Sequence, residues 1–160
     1  MRLTTYNLIL QGEERLPCLV RESSKNYPRF STIENPNEAV RLVNTVFNAN
    51  RQAEEHCYMI AYRSTRVVGA FEVSHGIVNS SMITPKELLT RLLLLSASDF
   101  VFLHNHPSGD TTPSKADTEI TGAIRDASKI MGINFLDHII IGENDMDYYS
   151  FMKSSEIFKQ

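Results

Sequence analysis

The chain has 160 residues, 42% hydrophobic and 22% charged. This excludes a disordered tract and predicts one soluble domain that buries about two-thirds of its unfolded surface. Sixteen basic against nineteen acidic side chains give a net charge of −3, and no segment gathers the Lys/Arg stripe that phosphate contacts need, so charge lends nucleic-acid binding no support. The longest apolar runs, such as Leu92 to Leu95, are far short of the ~20 residues that span a bilayer, and no membrane partner is expected.

From the amino terminus, residues 4–10 and 16–22 read as two strands around the polar QGEER, a hairpin, followed by a loop over 23–37. The apolar core at Leu8 to Leu10 is too brief for a signal peptide. Cys18 and Cys57 are too few and too separated for a disulfide framework, so a reducing, cytoplasmic setting is expected. Asn35-Pro36-Asn37-Glu38 opens a helix, with an Asn cap, Pro at the first helical position and an acid facing the orphan N–H groups. Residues 56–62 and 66–74 read as strands joined by a turn at Ser64-Thr65.

Thr84-Pro85-Lys86-Glu87 repeats the capping logic and starts a Leu-rich helix expected to reach about Ser98. DFVFLH is a short apolar strand ending at His104. From Lys115, the positions Ala116, Ile120, Ala123, Ile124, Ala127 and Ile130 predict one apolar helical face, and Gly132 a stop. FLDHIIIG and DYYSFM complete the strands. The order β-β-α-β-β-α-β-α-β-β predicts an α/β fold of the α+β kind, with a mixed sheet flanked by helices and antiparallel hairpins included.

Chemistry concentrates in His104 to Asp117, HNHPSGDTTPSKAD. The nuclease label HNH names residues dispersed through a ββα unit, so a contiguous His-Asn-His is no evidence for that activity. On a strand, His104 and His106 project to one side and Asn105 to the other. Pro107 and Ser108-Gly109-Asp110 then turn the chain, and Gly109 is free to take angles closed to other residues. This lets the following helix return its first turn, with Asp117, towards the histidines, where the helix dipole favours a carboxylate. Two His and one Asp are a three-ligand zinc set with an open fourth position, a catalytic pattern. The competing reading is that Ser114 to Asp117 is simply a capping box, which needs no metal. Hydrolysis would also need a carboxylate that is not a ligand; Glu54, Glu55 and Glu72 are the candidates, with Glu55 at a strand mouth.

His-x-His, seven residues, Ser, two residues, Asp resembles the JAMM motif of the JAB/MPN metalloprotease family, in particular its RadC-like bacterial branch. The resemblance extends over about residues 36–152, through EHCYMIAY, HGIVNSSMITPKELL, DTEITGAIRDASKIMGI and LDHIIIG. It implies a cytidine-deaminase-like fold, with residues 36–160 as the hydrolase domain and 1–35 as an extension. It also implies Zn2+ held by His104, His106 and Asp117, Glu55 as general acid/base, Ser114 as oxyanion stabiliser, and a protein or peptide substrate cleaved at a peptide or isopeptide bond. His138 matches the family segment and is assigned a structural hydrogen-bonding role. The branch is customarily labelled as DNA repair, which keeps nucleic-acid processing or binding at the metal site as the alternative. RadC-like proteins often carry an amino-terminal helix-hairpin-helix, where this sequence predicts a β-hairpin and loop.

Overall fold

The computed structural model describes residues 1–76 and 83–158; the Ile77 to Met82 part of the HGIVNSSMITPKELL segment lies outside them. Seven strands form one mixed sheet: β1 (Arg2–Gln11), β2 (Leu16–Asn26), β3 (His56–Arg63), β4 (Arg66–His75), β5 (Asp99–Asn105), β6 (Asn134–Ile141) and β7 (Tyr148–Ser150). Four helices accompany them: α1 (Pro36–Phe47), α2 (Pro85–Leu94), α3 (Lys115–Met131) and the single turn α4 (Phe151–Ser154). The strand order is β2-β1-β4-β3-β5-β6-β7. β1–β4 and β5–β6 pair parallel and the remaining neighbours antiparallel.

β3 is buried on both faces because it is central, and its alternation separates two cores. Tyr58, Ile60 and Tyr62 face α1 with Val40, Leu42, Val43, Leu103 and Ile139. Cys57, Met59 and Ala61 face the other way, with Phe71, Leu88, Leu92, Phe102 and Ile124. Leu3 and Phe30 from the first 35 residues join the α1-side core, and β1 pairs with β4 as well as β2.

The caps form as the sequence dictates. Asn35 Oδ1 accepts from Glu38 N at 3.0 Å, and Glu87 Oε2 accepts from Thr84 N at 2.8 Å. Gly132 closes α3 at φ +66°, in the left-handed region where glycine has no Cβ penalty.

Four expectations are corrected. The 23–37 loop starts later, since β2 continues to Asn26, where Ser23 and Ser24 hydrogen-bond across the strand pair to Thr5 and Thr4. α2 stops at Leu94 rather than near Ser98 because Ser96 turns to φ +50°. DYYSFM is a strand only over Tyr148–Ser150; Ser150 then caps α4 by accepting from Lys153 N, and the buried Asp137 accepts from Met152 N at 2.9 Å.

The fourth correction concerns the inward face of α3. Thr121, Ile124 and Ser128 are the buried residues, whereas Ile130 is 85% exposed. The apolar stripe gave the wrong rotation because two small polar residues lie on the line that faces the sheet, Thr121 bonded to the buried His138 and Ser128 buried without a side-chain partner.

Candidate metal centre

β5 delivers His104 to the sheet face under α3, opposite Cys57 of β3 and beside Ile140 of β6. His106 lies just past the strand end, yet its N–H still donates to Ile141 O at 3.0 Å, which extends the ladder and keeps both rings on one side. A tight turn follows, with Gly109 N donating to His106 O at 2.9 Å. Gly109 sits at φ +78°, a left-handed conformation that favours glycine; a Cβ there would also displace the exposed Glu143 side chain.

The turn returns the chain to Ser114, which caps α3. Ser114 N and Oγ both donate to Asp117 Oδ2, at 2.7 and 2.6 Å, and Asp117 N donates back to Ser114 Oγ at 3.1 Å. The capping box is therefore present, and it aims Asp117 at the histidines. His104 Nε2 lies 3.2 Å from Asp117 Oδ1, His106 Nε2 lies 3.6 Å from Oδ2, and the two Nε2 atoms are 3.0 Å apart. A tetrahedral ion with ligands at ~2.0–2.2 Å would separate its donors by about 3.3–3.6 Å, so the donors stand within a few tenths of an ångström of the spacing a zinc site needs.

The hydrogen-bond chain behind the triangle fixes which ring nitrogens carry protons. Thr121 Oγ1 lies within hydrogen-bond distance of Asp117 O and 2.6 Å from His138 Nδ1. Its one proton goes to the carbonyl, which can only accept, so His138 Nδ1–H must donate to the hydroxyl. His138 is fully buried, and burial followed by the neighbouring His104 lowers its pKa well below the usual imidazole value, which makes it neutral with a bare Nε2. That atom lies 2.8 Å from His104 Nδ1, so His104 donates there and, when neutral, presents a bare Nε2. His106 Nδ1 donates to Asp110 O at 2.6 Å and likewise leaves Nε2 bare in its neutral form. Two lone pairs and a carboxylate converging on one point need a proton or a cation between them.

The electrostatics agree. Burial raises the Asp117 pKa, but the interactions with His104 and His106, which supply the shared proton in the metal-free protein, and with Ser114 outweigh it and hold the carboxyl far below its ordinary range. Burial lowers the His106 pKa, yet Asp117, the Asp110 carbonyl and the charge of Glu55 raise it on balance. Beside them, Cys57 is pushed up to about 12, first by burial and then by Glu55 and Asp117, against a hydrogen bond with Ser74. This thiol stays protonated in the metal-free protein, and the group of converging donor atoms is His104, His106 and Asp117 without it.

The three candidate carboxylates separate by face. Glu55 is half-buried and directly precedes β3, and its charge acts on Cys57 and His106, which puts it on the histidine side. Glu54 is exposed. Glu72 pairs with Tyr58 on the α1 side and accepts from His56 and His75.

Two positions that matter here escape a reading of the sequence. Asn105 points away from the histidines, as strand alternation predicts, but it is 2% exposed and clamps the chain around Glu55: its Oδ1 accepts from His56 N at 2.8 Å and its Nδ2 donates to Glu54 O at 3.0 Å. Thr121 orients His138; its signal was available, as a polar residue one helical turn after Asp117 and so on the same face. His138 has the hydrogen-bonding role expected of it.

The profile of the RadC-like JAB domain matches residues 33–157. Among curated relatives, a UPF0758 protein of Clostridium botulinum is 37% identical over 150 residues, covering 89% of this chain and 64% of the relative. One from Carboxydothermus hydrogenoformans is 33% identical over 149 residues, covering 93% of this chain and 58% of the relative. One from Trichlorobacter lovleyi is 45% identical over 89 residues, covering 56% and 38%. The chain thus spans less than two-thirds of the length of each of these relatives. No helix among the described residues is long and apolar enough to cross a membrane. With the matched profile running through the strands, the histidine turn and α3, the chain belongs to the RadC-like JAB domain family.

Proposed function

We propose that this protein is a zinc-dependent hydrolase that cleaves a peptide or isopeptide bond. The observation that carries this reading is the convergence of two imidazole Nε2 atoms and one carboxylate, with Glu55, outside that group, near enough that its charge acts on His106 and Cys57. His104, His106 and Asp117 would hold the ion, which when bound supplies Lewis acidity towards water and a carbonyl group.

The chain's own residues do the rest. Glu55 takes the proton from the attacking water and passes it to the leaving amine, so it ends the cycle ionised as it began. Asn105 holds the peptide groups on either side of Glu55, which restrains the backbone that carries it. Ser114, whose hydroxyl points at Asp117 Oδ2, turns that donor to the developing oxyanion, a contact of about 2.7–4 kcal/mol in other hydrolases.

The test is to incubate the zinc-loaded protein with a complex peptide mixture and label newly formed amines for mass spectrometry. New amines should arise with the wild type and vanish with Glu55→Gln at unchanged zinc content. The same set from both proteins would remove Glu55 and hydrolysis together.

A further inference from the structure

On the other face of the sheet, at the same end of β3 and β4, lies a second group of ligand-type side chains. His56 Nδ1 and His75 Nδ1 approach Glu72 Oε1 to 3.2 and 3.1 Å, and the two rings stack at 5.3 Å. Strand parity alone would put Glu72 and His75 on opposite faces. A β-bulge corrects this: Cys57 pairs with Ser74 while Tyr58 pairs with Glu72, leaving Val73 as the extra residue. Glu72, His75 and the cross-strand His56 therefore converge.

We propose that His56, Glu72 and His75 form a second cation site, separate from the histidine pair of β5 and independent of the hydrolase reading. Its donor atoms all lie within 4.8 Å of one another, and the two edges to Glu72, 3.2 and 3.1 Å, are just under the about 3.3–3.6 Å that ligands at ~2.0–2.2 Å keep around a small tetrahedral ion, so a small adjustment of the exposed side chains admits one. Two imidazoles with one carboxylate select a transition-metal dication such as Zn2+, Ni2+ or Cu2+ over Mg2+ or Ca2+, which take oxygen donors. The site is open to a solvent ion, with His75 64% and Glu72 37% exposed, and the remaining ligand position falls to water. Among the described residues, the ion pairs of Glu72 are with these two histidines alone, so no lysine or arginine occupies the place of the ion.

The position gives the site a role. His56 directly follows Glu55, and Gly76, next to His75, donates its N–H to Glu55 O at 3.2 Å. An ion shared by His56 and His75 ties together the two strand ends that flank Glu55, so its occupancy stiffens the segment presenting that carboxylate.

The test is equilibrium dialysis of the tag-free full chain against Zn2+ alone, read as ions bound per chain. The wild type should bind two equivalents and His75→Ala one. His104→Ala/Asp117→Ala should retain one equivalent, which disappears when Glu72→Gln is added. A wild type that binds one equivalent, unchanged in His75→Ala and lost in His104→Ala/Asp117→Ala, would overturn the second site and leave the first standing. If the double variant fails to fold, the comparison of wild type with His75→Ala, both checked by circular dichroism, decides alone: equal stoichiometry refutes the site.

Discussion

The triangle of His104, His106 and Asp117 is set by side chains that never touch the point they surround. Thr121 and His138 together decide which nitrogen of His104 is bare, so Thr121→Val, nearly the same in shape, removes the acceptor for His138 Nδ1–H and should lower zinc affinity about 10–100-fold; competition with a chelating dye measures it, and unchanged affinity would show that the tautomer is set elsewhere. Asn105→Ala strips partners from Glu54 O and His56 N and should cost about 1–3 kcal/mol in urea denaturation, with zinc retained. The three converging side chains could be read from their spacing because a strand end, a glycine turn and a helix cap each have a local signature. Asn105 could not, because its partners lie about fifty positions away in sequence.

At the scale of elements, the alternation of β3 sorts the two sites: Cys57 shares the face of His104 while His56 and Tyr58 share the face of α1. Element order and most strands were legible from apolar runs and caps. The lengths of α2 and β7 were not, since they end where tertiary partners take over, at Ser96 and at Asp137. The rotation of α3 misled for an instructive reason. Its inward line carries Asp117, Thr121 and Ser128 beside Ile124, and a helix that supplies a polar site buries residues that an apolar pattern assigns to solvent. α2 follows the ordinary pattern, and Leu92, fully buried between it and the sheet, should cost about 2–5 kcal/mol when replaced by alanine, as read from the denaturation midpoint.

For the whole molecule, pH should act in opposite directions on the metal-free and metal-loaded protein. In the metal-free state Asp117 raises the His106 pKa, so their pairing contributes stability that is fully present below the unfolded imidazole value of about 6.5 and is lost as pH rises through the higher folded value. In the loaded state the proton and the cation compete for His106 Nε2, so zinc affinity should fall as pH drops, beginning above about 6.5. Calorimetric titrations at several pH values would show both trends, and affinity independent of pH would exclude His106 as a ligand. The net charge of −3 offers no long-range attraction to a polyanion. The central claim is that two rings and one helical acid share an ion, and elemental analysis of the wild type beside His104→Ala and Asp117→Ala, after His75→Ala has removed the second site from all three, tests it most directly. One zinc per chain in the parent and none in either variant is the result expected; full retention in both would contradict it.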